Sequence, residues 1–190
     1  MKRVLIFASG SGSNAENIIR YFQKSDSIKI VQVLTNNKNA KIIGKCKNLN
    51  IKVLVFDKKD LFTSDVILNR IKKETDYIIL AGFLWKIPSN IIKAFPNKII
   101  NIHPALLPKY GGKGMYGMYV HKAVVANKEK ETGITIHYVN ENYDEGAIIF
   151  QKSVKIEVKD TAKDIATKIH TLEMNNFPRV IKEVILKTYL

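Results

Sequence analysis

Apolar residues follow two different spacings along this chain, and the two spacings alternate through its first half. Continuous apolar runs are typical of strands buried on both faces of a sheet. They predict strands at 4–8, 28–34, 53–56, 77–81 and 98–102. Apolar residues three to four positions apart predict helices between them, at 15–22, 38–49, 61–73 and 89–94. This alternation favours a parallel sheet with helices on both faces.

The second half of the chain has a different order of elements. A helix is predicted at 115–126, and two strands follow at 135–139 and 147–156, close enough in sequence for one to run antiparallel to its neighbour. A long helix is predicted at 161–187, broken near Pro178, because proline removes a helical hydrogen bond. We therefore expect one α/β domain over residues 1–190. Its fold would be Rossmann-like: an open, mostly parallel sheet with helices on both faces and an antiparallel element in the C-terminal half.

The composition is that of an ordinary folded domain and not of a membrane or disulfide-stabilised protein. Hydrophobic residues make up 46% and charged residues 25% of the chain. No apolar run reaches the ~20 residues that a membrane span needs. Cys46 is the one cysteine, which excludes an internal disulfide and a cysteine-based metal site. We expect a cytoplasmic protein without a membrane partner.

The formal net charge of +14 widens the range of partners to consider. A basic surface can bind nucleic acid, and it can also steer small anionic substrates towards a site. Here the lysines are scattered along the chain and form no long tract, which favours ordinary solvated side chains. A basic nucleic-acid-binding module stays as an alternative of a different class.

The candidate chemistry is concentrated at the end of the fifth predicted strand. Asn101 and His103 lie two residues apart there, so their side chains point to the same face. An amide N–H and an imidazolium N–H directed at one point can stabilise an oxyanion, which indicates acyl or formyl transfer. Asp144 is a candidate third member, because a nearby carboxylate raises the pKa of an imidazole. Taken alone, Asp144 is more simply explained as a turn residue ahead of Gly146.

The glycine-rich segment after the first strand is a second candidate site. Gly12, Ser13 and Asn14 would begin a helix, whose free N–H groups bind phosphate. The same segment fits the dinucleotide pattern G-x-G-x-x-A, but no carboxylate follows the second strand to hold a ribose. A phosphomonoester site is therefore favoured over an NADP-dependent reductase. A capped turn without a ligand remains open.

Four motifs occur together and in order: SGSGSN at 9–14, LAGF at 80–83, NIHPALLP at 101–108 and DEGA at 144–147. With them, nearly the whole chain resembles the phosphoribosylglycinamide formyltransferases, folate-dependent enzymes of purine synthesis. The resemblance implies transfer of a formyl group from the co-substrate 10-formyltetrahydrofolate to the amine of glycinamide ribonucleotide. It implies no metal and no nucleic-acid partner, and it leaves the oligomeric state open.

The resemblance also implies roles for individual residues. Asn101 and His103 would be the catalytic pair, and Asp144 would support the charged imidazole. The phosphate and ribose of the ribonucleotide would be held by Gly12, Ser13, Asn14 and Glu173. The folate would contact Leu84, Trp85, Lys86, Ile87 and Asn101. Trp85 is explained equally well as an ordinary core residue. His137 would lie in a strand that lines the active site.

The chain departs from the family pattern beside the folate site. Trp85 and Lys86 replace an arginine-containing pair of some members, and residues 62–65 lack a basic residue that some relatives have near the folate tail. Related folate-dependent formyl enzymes use the same Asn-x-His pair and form the nearest alternative. The enzyme that acts on methionyl-tRNA adds a C-terminal domain, and formyltetrahydrofolate hydrolase adds an N-terminal one. We expect neither domain within 190 residues.

Overall fold

Seven strands lie side by side in the middle of the computed structural model, which describes residues 1–187. They are β1 (Lys2–Phe7), β2 (Ile28–Thr35), β3 (Val53–Val55), β4 (Tyr77–Leu80), β5 (Ile99–His103), β6 (Glu131–Tyr138) and β7 (Ile148–Lys155). Their order in the sheet is β3-β2-β1-β4-β5-β6-β7. The first five pair in parallel, whereas β6 pairs antiparallel with both β5 and β7. The predicted mostly parallel sheet with a C-terminal antiparallel element is confirmed.

Helices cover both faces of this sheet. They are α1 (Ser13–Phe22), α2 (Ile42–Asn48), α3 (Lys58–Phe62), α4 (Val66–Glu74), α5 (Ser89–Ala94), α6 (Met118–Ala126) and α7 (Ala162–Leu186). Side chains alternate along β1, so Val4 and Ile6 share a core with α1, α2, α6 and α7, while Leu5 and Phe7 share one with α3, α4 and α5. Burial on both faces explains why the central strands β1 and β4 lack polar alternation. Within residues 1–187, no helix combines the length and apolar character needed to cross a bilayer.

The strand order reverses beside β1, because β2 and β3 lie on one side of it and β4 and β5 on the other. In open α/β sheets this reversal leaves a crevice at the C-terminal ends of the strands. The Ser9 N–H donates to the Gly82 carbonyl (3.1 Å), and the Leu84 N–H donates to Ser9 Oγ (3.1 Å). These bonds join the loops after β1 and β4, so both candidate binding segments open onto the same crevice.

The prediction of a single helix at 61–73 is wrong, because the structure has two short helices there, α3 and α4. The first of them is fixed by a capping box, in which Asp57 Oδ1 accepts from the Asp60 N–H (2.9 Å) and Asp60 Oδ2 accepts from the Asp57 N–H (3.1 Å). Thr63 Oγ1 then donates to the Lys59 carbonyl (3.0 Å) at its end. Side-chain hydrogen bonds therefore divide the helix, although the apolar spacing in the sequence is typical of one continuous helix.

Two other helices begin later than predicted. The predicted start of one was residue 115, but α6 starts at Met118 because Gly114 and Gly117 have φ angles of +90° and +51°, outside the helical region. The predicted start of the other was residue 38, but α2 starts at Ile42. A turn precedes it, in which the Asn39 N–H donates to Asn37 Oδ1 (2.9 Å).

The break predicted near Pro178 is also wrong, because α7 continues through this residue. Proline has no N–H, so the Met174 carbonyl, four residues earlier, loses its helical donor. Asn17 of α1 replaces that donor, with Nδ2 2.8 Å from the Met174 carbonyl oxygen. The packing of α1 against α7 thus supplies the hydrogen bond that the helix lacks.

Removing this side-chain donor is expected to destabilise the fold. Asn17→Ala leaves the partly buried Met174 carbonyl unpaired, and we expect the free energy of unfolding to fall by about 1–2 kcal/mol. In a Pro178→Ala background, residue 178 has its own N–H, so Asn17→Ala should be less damaging. Urea denaturation of the four proteins of this double-mutant cycle measures the difference. Equal effects of Asn17→Ala in the two backgrounds would contradict the explanation.

Candidate active site

A cavity of about 700 Å³ lies at the C-terminal ends of β1, β4 and β5. Its walls come from the loops after these strands, the glycine-rich segment 112–117, residues 139–144, α6 and α7. Every predicted site residue lines it: Gly12, Ser13, Asn14, Leu84, Trp85, Lys86, Ile87, Asn101, His103, Asp144 and Glu173. All four histidines of the chain line it too. Residues 1–187 contain no group of three or more histidine, cysteine, aspartate or glutamate side chains arranged to hold a metal ion.

The amide of Asn101 is positioned by the antiparallel neighbour of its strand. Asn101 lies opposite His137 in the β5–β6 pairing, and its Nδ2 is 3.0 Å from His137 Nε2. The other ring nitrogen, Nδ1, is 2.8 Å from the Tyr138 carbonyl oxygen, which calls for an N–H there. In the neutral ring Nδ1 therefore carries the proton, and Nε2 accepts from Asn101. The second N–H of the Asn101 amide is left for a ligand.

His103 is buried at the end of β5, and both of its ring nitrogens face protein oxygens. Nε2 lies 2.7 Å from the Tyr110 carbonyl oxygen, and Nδ1 lies 3.6 Å from Asp144 Oδ2. His103 and Asn101 line the same cavity, in keeping with their spacing on the strand. The close hydrogen bond of His103, however, goes to Tyr110 and not to an open position in the cavity.

The pKa of His103 is lowered, which is opposite to the expected direction. Burial has the largest effect and lowers the pKa, since only 4% of the residue is exposed. The Asp144 carboxylate and the Tyr110 carbonyl raise the pKa, but they offset burial only in part. The sequence identified the effect of the carboxylate correctly and could not reveal how completely the ring is enclosed.

Asp144 connects the glycine-rich segment 112–117 to two histidines. Its Oδ2 accepts a hydrogen bond from the Gly112 N–H (2.9 Å), and its Oδ1 lies 3.6 Å from His137 Nε2. Burial alone would raise the pKa of Asp144, but His137, His103 and the Gly112 N–H together lower it, so the carboxylate is ionised. Asp144 also has a φ of +56°, so it is a turn residue and a member of the cluster at once.

The chain that leaves His103 is held by side chains of β6 and β7. Thr135 Oγ1 donates to the Ala105 carbonyl (2.6 Å) and accepts from the Leu107 N–H (3.0 Å). Gln151 Nε2 donates both to the Leu107 carbonyl (3.0 Å) and to Thr135 Oγ1 (2.9 Å). These bonds satisfy a fully buried threonine and fix the direction of the segment after β5.

The candidate phosphate segment is a helix N-terminus with unpaired backbone amides. Gly12 precedes α1 with a φ of +68°, and a Cβ added to it would approach Ile42 to 2.5 Å, so only glycine fits. The N–H groups of the first helical turn, which includes Ser13 and Asn14, have no acceptor within the helix. Because these residues line the cavity, the segment can bind an anion there.

Glu173 of α7 lies beside this segment. Asn14 Nδ2 donates to Glu173 Oε2 (2.9 Å), and His170 Nδ1 lies 3.7 Å from the same oxygen. Burial raises the pKa of Glu173, and Asn14 and His170 counter this only in part. Asn14 Oδ1 is buried and has no hydrogen-bond partner in the part of the chain that the structure describes. A carboxylate and an amide oxygen in this position can accept hydrogen bonds from sugar hydroxyls.

The segment after β4 forms an apolar wall of the cavity. Trp85 packs edge-to-face on Phe56, with ring centroids 6.1 Å apart, and Lys58 Nζ lies 5.8 Å from the centroid of the Trp85 ring. Trp85 is therefore both a core residue and a cavity residue, which reconciles the two interpretations of it. Lys86 Nζ lies 5.4 Å from the centroid of the Tyr143 ring and so connects this wall to the loop of Asp144.

Sequence reasoning did not single out His121, His170 or the backbones of Tyr110 and Gly112 as parts of the site. His170 could have been found, because it lies three residues before Glu173 on the same helix and so shares its face. The contacts of Tyr110 and Gly112 come from loop conformation, for which the residue types give no signal.

Comparison with known proteins gives one consistent result. Residues 2–181 match the family model described as formyl transferase. A Bacillus subtilis (strain 168) protein named phosphoribosylglycinamide formyltransferase is 35% identical over 191 residues, which cover 97% of this chain and 95% of the relative. A chloroplastic protein of the same name from Vigna unguiculata is 38% identical over 192 residues, covering 95% of this chain. The chain spans only 60% of the length of that relative and of its Arabidopsis thaliana counterpart.

Solved structures give the same result. A crystal structure of phosphoribosylglycinamide formyltransferase from Bacillus halodurans matches this chain with a TM-score of 0.87 at 33% identity, covering 99% of this chain and 97% of that one. The counterpart from Anaplasma phagocytophilum matches with a TM-score of 0.88 at 30% identity, covering 97% and 87%.

Replacing Asp144 is expected to lower the pKa of His103 further. In Asp144→Asn, burial still lowers the pKa while the charge that partly offsets it is gone. Titration of the imidazole resonances by NMR in both proteins measures the change. The resonances of His170, which contacts Glu173 and not Asp144, are the internal control. A His103 titration that stays in place or moves to higher pH would show that Asp144 does not stabilise the charged ring.

Proposed function

The chain belongs to the formyl transferase family, and from this we propose that it transfers the formyl group of 10-formyltetrahydrofolate to the amine of N1-(5-phospho-D-ribosyl)glycinamide, a step of de novo purine biosynthesis. The observation that carries the proposal is that one cavity contains both the Asn101–His103–Asp144 cluster and the anion-binding start of α1. Formyl transfer onto a phosphorylated amine needs these two features together.

The ribonucleotide would bind between α1 and α7. Its phosphate would accept hydrogen bonds from the N–H groups after Gly12, with Ser13 and Asn14 beside it. Its ribose hydroxyls would donate to Glu173 and to the unpartnered Oδ1 of Asn14. This placement would direct the glycinamide amine towards Asn101 and His103, because all of these residues line one cavity.

The folate would occupy the opposite wall. Leu84, Trp85, Lys86 and Ile87 follow β4 and offer an apolar and aromatic surface for a flat ring system. Asn101 lines the cavity too, so its free N–H could reach the formyl oxygen. The two substrates would then meet at the end of β5.

The reaction would proceed by attack of the glycinamide nitrogen on the formyl carbon. The carbonyl oxygen becomes an oxyanion, which the N–H groups of Asn101 and of protonated His103 stabilise. The bond between the formyl carbon and the folate nitrogen then breaks, and the proton lost by the attacking amine passes to that nitrogen. The products are the formylated ribonucleotide and tetrahydrofolate.

His103 must change its hydrogen bond to take part in this step. Its Nε2 faces the Tyr110 carbonyl in the structure, so this nitrogen has to exchange that oxygen for the oxyanion. A negative charge forming beside the ring raises its pKa, and Asp144 acts in the same direction. Both effects oppose the burial that keeps the ring neutral in the free protein.

We propose in addition that residues 1–190 form one formyltransferase domain, although residues 188–190 lie outside the described part of the chain. The enzyme would act in the cytoplasm on two small molecules, without a metal or nucleic acid. The charge of +14 would then serve to attract the phosphate and the carboxylates of the substrates.

Removal of either proposed oxyanion donor should abolish most turnover while leaving the fold intact. For Asn101→Ala and for His103→Ala we expect kcat to fall by about 10²–10³-fold. A formyl-transfer assay that follows folate absorbance measures this, with circular dichroism to verify folding. Asn90→Ala is a matched control, since Asn90 lies in α5, hydrogen-bonds Asp65 and does not line the cavity. Near-normal rates in both variants would remove the pair from the mechanism.

Variants on the two walls should affect different substrates. Glu173→Gln should raise KM for the ribonucleotide by about tenfold or more, because a carboxyl oxygen that accepts from the ribose is lost, and should leave KM for the folate nearly unchanged. Trp85→Leu should do the reverse. Steady-state kinetics with each substrate varied in turn tests both. The two-wall assignment fails if either variant raises both KM values equally.

A further inference from the structure

One buried histidine of the cavity has no hydrogen bond within the described residues. His121 of α6 is 5% exposed, and its Nδ1 is sealed from solvent without a partner among residues 1–187. Its Nε2 makes no hydrogen bond within these residues either, while the side chain lines the cavity. His103 and His137, by contrast, are both hydrogen-bonded. An enclosed polar ring without a partner is rare in a native fold and calls for an explanation.

A structural role does not explain this residue. Burying an imidazole with no hydrogen bond costs free energy that an apolar side chain of similar size would not incur. The neighbouring core positions of α6, Val120 and Val124, are indeed apolar. His121 therefore occupies a place where the fold alone would favour leucine or methionine.

The surroundings select one protonation state of His121. Burial lowers the pKa of His121, and a positive charge on His103 would lower it further, so the ring is neutral. A buried N–H without an acceptor is less tolerable than a buried lone pair, so Nδ1 carries no proton. The proton is then on Nε2. His121 thus presents an uncharged N–H donor to the cavity.

The position of α6 indicates which ligand this donor meets. Helices α1, α6 and α7 share one core on one face of the sheet, whereas Trp85 packs in the core of the opposite face. Asn14 and Glu173, which are bonded to each other, belong to this same group of helices. His121 therefore lies on the side proposed for the phosphorylated ribosyl amine and not on the folate side.

We propose that His121 is a substrate-binding residue, whose Nε2–H donates a hydrogen bond to an oxygen of the phosphorylated ribosyl amine. This inference rests on the function proposed above. It explains why a buried histidine without a partner is retained, since the bound substrate supplies the missing acceptor.

Three substitutions separate this role from a structural one. Gln places its amide nitrogen near the position of Nε2, Asn places it near that of Nδ1, and Leu fills the space without any donor. His121→Leu should be at least as thermally stable as the natural protein, because a buried polar group is removed. It should nevertheless raise KM and Kd for the ribonucleotide by about tenfold or more. His121→Gln should recover most of that loss, and His121→Asn should recover little.

Competition with smaller ligands identifies the accepting oxygen. If it belongs to the phosphate, His121→Leu weakens inhibition by inorganic phosphate and by the full ribonucleotide product alike. If it belongs to the ribosyl or glycinamide part, only binding of the ribonucleotide is weakened. Lys122→Gln, an exposed change at the next position of α6, is the control and should alter neither.

Different results would contradict the role of His121 and the proposed function. A natural protein that neither binds the ribonucleotide in calorimetry nor transfers the formyl group contradicts the proposed function itself. An active natural protein with an unchanged ribonucleotide KM in His121→Leu contradicts only the role of His121. Rescue by Asn and not by Gln would also overturn the proposal, because it would assign the donor to Nδ1.

Discussion

The antiparallel register of β5 and β6 is the constraint on which the rest of the site depends. It places Asn101 opposite His137 and His103 opposite Thr135. The first pairing orients the Asn101 amide through a ring whose other nitrogen lies within hydrogen-bond distance of the Tyr138 carbonyl. The second fixes the chain beyond β5, because Thr135 bonds both Ala105 and Leu107. A shift by one residue would turn these polar groups to the opposite face of the sheet.

Enclosure and charge act against each other within the cluster, and the balance differs for each member. Burial dominates at His103 and lowers its pKa, whereas at Asp144 the surrounding imidazoles and the Gly112 N–H dominate and keep the carboxylate ionised. The result is a neutral donor ring beside a fixed negative charge. Such a pair can take up a proton when an oxyanion forms, because the charge is already in place.

Much of the architecture could be predicted from residue spacing. Continuous apolar runs predicted the first five strands, and the spacing of Asn101 and His103 predicted that both line one side of the sheet, where the structure has the cavity. The errors came from tertiary contacts: Asn17 of a distant helix lets α7 pass through Pro178, and local capping divides one predicted helix into α3 and α4. The lowered pKa of His103 likewise depends on enclosure by segments far away in sequence. The sequence did not identify His121 as a site residue, because its position in the helical spacing is that of a core residue.

In the function that we propose, one cavity brings a formyl donor and a phosphorylated amine together at the end of β5. The most direct test is to supply 10-formyltetrahydrofolate labelled with ¹³C in the formyl group together with glycinamide ribonucleotide, and to follow the label by NMR. We expect the label to move to the glycinamide nitrogen as tetrahydrofolate forms in equal amount. Release of labelled formate instead, or no transfer in the presence of both substrates, would contradict it.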